Sequence, residues 1–203
     1  MPITEDAPVQ PAISPYGNTK QIGEEIITET AKVSNIQAIL LRYFNPIGAH
    51  ETAEIGELPI GVPQNLVPFI TQTAAGIRKE LSVFGDDYNT PDGTCIRDYI
   101  HVVDLADAHV VALERLLHSK NVTSVEVFNV GTGKGSSVME VIKTFEKVAE
   151  KPLPYKIVGR REGDVIEAYA NTDKANAVLG WKAKYTMEDA LRSAWKWQLK
   201  LNA

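Results

Sequence analysis

The stretch SPYGNTK, residues 14–20, is the part of the sequence from which the fold can be worked out. Its serine is a preferred residue just before a helix, and its proline is preferred at the first helical position. Ile22, Ile26 and Ile27 follow at helical spacing, which predicts one apolar face. We therefore expect an amphipathic helix that begins at residue 15.

Tyr16 and Lys20 lie four positions apart in this predicted helix, so they share one face and are separated by one turn. An ammonium group beside a phenol favours the ionised phenolate, the form that can act as a general base. A surface tyrosine and a surface lysine would give the same pattern, because short motifs alone produce false positives. The rest of the chain has to decide between these two interpretations.

Length, composition and charge restrict the classes of protein. The 203 residues suffice for one large or two small domains, with 44% apolar and 23% charged residues. The net charge of -5 makes a generic nucleic-acid partner unexpected. The single cysteine, Cys95, cannot form an internal disulfide, so we expect a reducing, cytoplasmic environment. We expect no membrane association, since no apolar run reaches membrane-spanning length and residues 1–15 lack a signal-peptide pattern.

Predicted strands and helices alternate along the chain, which favours an α/β fold. Buried-type strands are predicted over residues 36–44, 81–84, 96–102, 125–130 and 155–158, and helices over 65–79, 104–117, 138–150, 175–179 and 186–201. Asn45-Pro46 is expected to end the first strand. The Gly- and Pro-rich stretch from there to Pro63 is long for a compact protein, which favours a functional loop.

A dinucleotide-binding sheet normally begins with a strand, a Gly-rich turn and a helix, and nothing before Tyr16 matches this pattern. The nearest match is VGTGKG, residues 130–135, between a predicted strand and a predicted helix. It departs from Gly-x-Gly-x-x-Gly because Ser136 occupies the last position, and no acidic residue follows at the expected distance. A tight strand-to-helix turn is therefore favoured over a phosphate-binding loop.

Several polar residues occupy positions where ligands commonly bind. Asn45 follows a strand, at the edge where open α/β sheets bind ligands. Arg97 and the pair at residues 160–161 could clamp a diphosphate, since guanidinium groups bind phosphate oxygens in pairs. Each of these residues alone would equally suit a solvated turn. His101 and His109 have no partners at metal-ligand spacing, so no metal site is expected.

Six motifs occur along the chain in the order YGNTK (16–20), RYFNPIGAH (42–50), PQNL (63–66), VFGDDY (83–88), DGTCIRDYIHV (92–102) and RREGD (160–164). Taken together, they resemble the UDP-galactose 4-epimerase (UDP-glucose 4-epimerase) family of extended short-chain dehydrogenases/reductases. The resemblance extends from Tyr16 to the end of the chain, and the set with its spacing is more specific than any one motif.

The resemblance implies an NAD-dependent interconversion of UDP-galactose and UDP-glucose through a 4-keto sugar. Tyr16 would take the proton from the sugar 4-hydroxyl. Lys20 would assist it and hold the nicotinamide ribose, and Tyr43 and Phe44 would lie along the nicotinamide. Because the sugar must turn over between the two hydride transfers, tight binding is expected on UDP rather than on the hexose.

The same resemblance assigns the substrate-binding residues. Asn45 would bind near the diphosphate, and Asn65, Leu66, Val83 and Phe84 would enclose the uridine. Arg97 and Arg161 would bind the diphosphate, Asp164 the nucleotide ribose, and Ala168 would line the pocket near the sugar C2 substituent. A small residue such as Ala168 implies that UDP-GalNAc and UDP-GlcNAc are accepted as well.

In this family a Gly-rich NAD fingerprint and a catalytic Ser or Thr precede the Tyr-x-x-x-Lys helix, and neither occurs before Tyr16. We therefore expect the second part of a Rossmann-type NAD-binding domain (residues 1–45 and 100–131) and a smaller α/β UDP-sugar domain (46–99 and 132–203). The N-terminal Rossmann half would be missing, so the chain alone is expected to be inactive. A homodimer is possible. The alternatives are an inactive fragment or UDP-sugar-binding module, and a related nucleotide-sugar dehydratase or decarboxylase.

Overall fold

A computed structural model describes residues 2–202, which form an α/β fold of helices and short strands. The helices are α1 (Pro15–Lys32), α2 (Leu66–Ala74), α3 (Val102–Leu117), α4 (Val138–Ala149) and α5 (Met187–Leu201), with a π-helical turn at Ala175–Leu179. The strands are β1 (Ala38–Tyr43), β2 (Asn45–Ile47), β3 (Leu81–Phe84), β4 (Ile96–His101), β5 (Val125–Val130), β6 (Gly135–Ser137), β7 (Tyr155–Val158) and β8 (Glu167–Ala168). No helix among the described residues is long and apolar enough to cross a membrane.

Helix α1 begins as its sequence predicts. The Ser14 hydroxyl accepts a hydrogen bond from the backbone N–H of Gly17 at 3.1 Å, and Pro15 is the first helical residue. The apolar residues Ile22 and Ile26 are exposed, the latter by 61% of its surface. The predicted apolar face of α1 is therefore a solvent-facing surface in this structure.

The strands form three small sheets. Parallel pairs join β1 to β5 and β3 to β7, while the third sheet has the order β2-β4-β6, with β8 also paired to β4. Side chains of β1 alternate between two helical layers. Ile39 and Leu41 pack with the α3 side, whereas the Arg42 guanidinium forms two hydrogen bonds, of 2.8 and 2.6 Å, with Glu24 of α1.

Two hydrophobic cores lie on opposite sides of β4. Tyr99 packs in a first core built from α2, β3, α4 and α5, whereas its neighbour Ile100 packs in a second core built from β5 and α3. This follows from the alternation of side chains along a strand. Ala175 and Trp181, which flank the π-helical turn, also belong to the second core.

His101 ends β4 and caps α3. Its Nδ1 accepts a hydrogen bond from the Val103 N–H at 3.0 Å, which the neutral ring can do. Burial lowers the pKa of His101, while the carboxylates of Asp104 and Asp189 act in the opposite direction. The histidine therefore has a structural role, and His109 likewise bonds within its own helix, to the Leu105 carbonyl.

The structure corrects one sequence prediction and adds a strand that the sequence did not predict. Helix α2 ends at Ala74 rather than at residue 79, because Gly76 adopts φ +80°, a left-handed conformation that stops a helix. Asn45-Pro46 follows the end of β1 at Tyr43, as predicted, but it does not begin a loop. It forms the short strand β2, in which Pro46 is tolerated since β2 is an edge strand and its missing N–H removes no ladder bond on the open side.

Candidate substrate cavity and catalytic pair

A cavity of about 490 Å³ lies between β2, β3, β4 and the start of α2. Eight of the nine predicted substrate-binding residues line it, and Ala168 does not. These eight are Asn45, Asn65, Leu66, Val83, Phe84, Arg97, Arg161 and Asp164. Residues separated by up to 119 positions thus meet at one concave surface, although their individual roles stay predictions.

The sheet register explains why polar groups meet at one end of the cavity. Asn45 on β2 is the parallel partner of Tyr99 on β4, so their side chains project from the same face. Arg97 lies two residues before Tyr99 and shares that face. The strand β4 therefore presents a guanidinium and a phenol beside the amide of Asn45.

Two guanidinium groups converge on one carboxylate at this end. The Arg161 guanidinium donates to Asp164 Oδ1 at 2.7 Å, and Arg97 lies 3.6 Å from the same oxygen. The hydrogen bond to Asp164 raises the pKa of the Arg161 guanidinium above its usual range. Two positive charges and one negative charge leave a local surplus of one positive charge, which suits a phosphate-bearing ligand.

A second part of the cavity wall is apolar. Val83 is 1% exposed, and the ring of Phe84 lies 5.7 Å from the Arg161 guanidinium carbon, so it forms the boundary with the charged end. Asn65 begins α2 without capping it, since its side-chain amide donates instead to Glu57 Oε1 at 2.7 Å. The first N–H groups of α2 are therefore free to donate to a ligand.

The predicted catalytic pair lies on α1, outside the residues that line the cavity. Lys20 Nζ lies 5.0 Å from the centre of the Tyr16 ring, and Tyr16 is 70% exposed. Of the predicted nicotinamide neighbours, Tyr43 ends β1 and Phe44 follows it, where the Phe44 N–H donates to the Val130 carbonyl at 3.1 Å. The next residue, Asn45, enters the cavity, so the chain leads directly from these residues to the charged end.

The Gly-rich turn after β5 binds an internal carboxylate. Asp98, which is fully buried, accepts hydrogen bonds from the N–H groups of Thr132 (2.8 Å) and Gly133 (3.0 Å). A side chain at Gly131 would collide with this carboxylate, which explains the glycine. Since Asp98 uses the N–H groups that a phosphate would need, the structure supports the tight-turn interpretation.

The residues present fit one end of an NAD molecule. Tyr16 and Lys20 offer an exposed hydroxyl and an ammonium group to a ribose. Within residues 2–202, the turn after β5 is the nearest match to a Gly-rich phosphate-binding loop, but it leads into the short strand β6 and its N–H groups already bind Asp98. The dinucleotide pyrophosphate therefore has no Gly-rich cradle within the described part of the chain.

Ala168 pairs in register with Arg97, so it lies on the cavity side of the sheet.

The structure also separates the neighbouring arginines Arg160 and Arg161. Arg160 donates to Asp87 at 2.7 Å and covers the Tyr88 ring, whereas Arg161 lines the cavity.

Several further residues line the cavity that the sequence motifs do not indicate, among them Val62, Phe69, Ser82, Cys95, Tyr99 and Val138. Of these, Tyr99 could have been found, because it follows Arg97 at the two-residue spacing of one strand face. The remainder depend on which helices pack around the sheet.

A family model described as GDP-mannose 4,6 dehydratase matches residues 1–194. The chain belongs to this family. It is 50% identical over 198 residues to UDP-glucose 4-epimerase of Bacillus subtilis, a match that covers 97% of the chain and 57% of that relative. The chain thus spans little more than half of that relative's length, and the match lies in the C-terminal part of the curated relatives.

Two solved structures with this fold are also named UDP-glucose 4-epimerases. The enzyme from Stenotrophomonas maltophila, with bound NAD and formylated UDP-arabinopyranose, superposes with a TM-score of 0.95 at 46% identity over 99% of the chain and 59% of its own. The enzyme from Bifidobacterium longum, in complex with NAD⁺ and UDP, gives 0.92 at 47% identity over 98% and 59%. The predicted α/β fold is confirmed, as is the expectation that the chain matches only part of such an enzyme.

Proposed function

We propose that this chain forms the UDP-sugar site and supplies the Tyr–Lys pair of an NAD-dependent UDP-glucose 4-epimerase of galactose metabolism. The observation that carries this proposal is the single cavity in which an apolar end and an Arg97–Arg161–Asp164 cluster adjoin. A uracil ring with its ribose suits the first part, and a diphosphate suits the second. The names of the three relatives described above, each a UDP-glucose 4-epimerase, support the same assignment.

In this proposal the chain's own residues bind UDP and move one proton. Tyr16 takes the proton from the 4-hydroxyl of the sugar and returns it after inversion at C4, while the adjacent Lys20 ammonium stabilises the phenolate. NAD, when bound, supplies the hydride acceptor and donor for C4. The hexose is held loosely because the arginines and the apolar end bind UDP, which leaves the sugar free to present either face.

Tyr16, Lys20, Tyr43 and Phe44 would hold the nicotinamide end of the cofactor. We expect this chain alone to bind NAD weakly, because a helix N-terminus with a Gly-rich turn is the usual binding site for the pyrophosphate. The chain alone would then bind UDP but turn over substrate poorly. That combination is the UDP-sugar-binding module considered as an alternative.

The proposal extends to the domain boundaries, the oligomeric state and the location of the protein in the cell. We assign residues 1–45 and 100–131 to the NAD-binding domain, and 46–99 and 132–203 to the UDP-sugar domain. A homodimer through the exposed apolar face of α1 is consistent with Ile22 and Ile26, and a cytoplasmic location with the single buried thiol of Cys95. Cross-linking and cell fractionation would test these two points.

Calorimetric titration with UDP and with GDP tests the proposed function. The chain should bind UDP clearly more tightly, because the base lies in a pocket of fixed shape. Preference for GDP would instead favour a GDP-sugar enzyme, in line with the name of the family model.

A chimera tests the catalytic part of the proposal. The chain would be joined to the part of the Bacillus subtilis relative that the match leaves uncovered and assayed with UDP-galactose. Formation of UDP-glucose supports the epimerase, while loss of water or CO₂ from the substrate would support the dehydratase or decarboxylase alternative. A chimera that folds and binds UDP but catalyses none of these reactions would contradict the proposed function.

A further inference from the structure

Tyr99 is placed to contact a ligand at the charged end of the cavity. It is 8% exposed, its ring packs in the first core, and it lines the cavity. Its position on β4, two residues after Arg97 and in register with Asn45, puts all three side chains on one face. A rigid ring anchored in a core holds its hydroxyl at a fixed place in that group.

The hydroxyl of Tyr99 has no protein partner in the described part of the chain. The hydroxyl makes no hydrogen bond to another described residue. Its oxygen is also not fully enclosed by protein, and Tyr99 lines the cavity. Buried polar groups are nearly always satisfied, by protein, water or ligand. The remaining direction for its hydrogen bond is the cavity.

We propose that the Tyr99 hydroxyl donates a hydrogen bond to a diphosphate oxygen of the bound nucleotide sugar, as a third anchoring group beside Arg97 and Arg161. This inference rests on the proposed function, since it requires that the cavity binds UDP. The diphosphate is the matching part because Tyr99 shares a strand face with Arg97 and is in register with Asn45, whereas Val83 and Phe84 form the apolar part of the cavity wall.

The protonation state of Tyr99 suits a donor. Burial raises the pKa of Tyr99 to about 12; Arg97 acts against this shift, and Cys95 and Asp164 add to it. The phenol therefore keeps its proton at neutral pH. It strengthens phosphate binding without adding charge to a site that already holds two guanidinium groups.

The experiment compares Tyr99→Phe with the parent, in the chain and in the chimera described above, using UDP and uridine as probes. The phenylalanine keeps the ring in the core and removes only the oxygen. We expect UDP affinity to fall about tenfold or more, as for a hydrogen bond to a charged group, and uridine affinity to stay unchanged. Tyr155→Phe on β7, which is 41% exposed and outside the cavity lining, is the matched control and should leave UDP affinity unaltered.

A measurement on the parent covers the case in which Tyr99→Phe does not fold. With ¹³Cζ-labelled tyrosine, the Tyr99 resonance should shift on addition of UDP and not of uridine. Unchanged UDP affinity in the variant, or an equal loss for UDP and uridine, would overturn the role of Tyr99. A parent that binds no UDP would instead contradict the proposed function itself.

Discussion

Replacing Arg97 by alanine should weaken UDP binding more than the same change at Arg161. Both guanidinium groups face Asp164 at the charged end of the cavity, but their side chains differ in exposure, 17% for Arg97 and 59% for Arg161. An exposed charge is screened by water and salt, so its interaction with a phosphate is worth less. The largely buried Arg97, whose Nη1 also donates to the Ile96 carbonyl at 2.8 Å, keeps its geometry and most of its interaction energy.

The expected losses of binding free energy follow from the usual strength of hydrogen bonds to charged groups, about 1.5–3 kcal/mol. Arg97 belongs in the upper part of this range, at about 2–3 kcal/mol, which corresponds to a loss of roughly 30- to 160-fold in affinity. Arg161 belongs at the lower limit, about 1.5 kcal/mol or less, which is roughly tenfold. Lysine should restore only part of either loss, because an ammonium group cannot bind two oxygens at once.

Isothermal titration with UDP measures these losses, and Arg160→Ala is the control. Arg160 is the neighbour of Arg161 in sequence, but it binds Asp87 and does not line the cavity, so its removal should leave UDP affinity unchanged. Raising the salt concentration should reduce the effect of Arg161→Ala more than that of Arg97→Ala. Unaltered isotherms for both cavity arginines would refute the diphosphate clamp.

Four further predictions follow from the fold and the site. Tyr16→Phe in the chimera should lower turnover by about 10²–10⁴-fold, because it removes the general base, and should leave UDP affinity nearly unchanged. A comparable loss of UDP affinity would mean that α1 does not lie beside the sugar as the mechanism requires. Ala168→Tyr should remove activity on N-acetylated UDP-sugars selectively, because the ring would fill the acetamido space; equal activity on both substrate pairs would show that this residue does not face the sugar. Because burial lowers the pKa of His101, its stabilising contribution is complete above about pH 6.5 and is lost as the pH falls, so acid unfolding should shift to lower pH in His101→Asn. The chain should self-associate in light scattering through its exposed apolar surfaces, and glutamate at Ile22 and Ile26 should reduce this; a monodisperse monomer that unfolds cooperatively would contradict it.

Elements with a strong local signal could be predicted from the sequence. The strand over residues 125–130 and the last helix, with its Thr186 cap, appear within a residue of their predicted bounds, because burial and capping are encoded locally. The three-residue strands β2 and β6 could not be predicted, since their pairing depends on β4, a partner distant in sequence. Tertiary contacts rather than local preference determine such short strands.

The cavity shows the same division between local and distant information. Motifs identified Arg97, Arg161 and Asp164, and the structure brings them together. No local pattern indicated that Asp98 fills the Gly-rich turn, because the two segments lie more than 30 residues apart and meet only after β4 and β5 are placed.

The position of β4 between the two cores has a consequence for insertions and deletions. Its even and odd residues face different interiors, so a single added or removed residue within β4 would exchange the two faces. Asp98 and Ile100 would then face the cavity, while Arg97 and Tyr99 would face the Gly-rich turn and the second core. We therefore expect the length of this segment to be fixed more strictly than any of its individual side chains, with loops such as residues 51–62 absorbing the length changes.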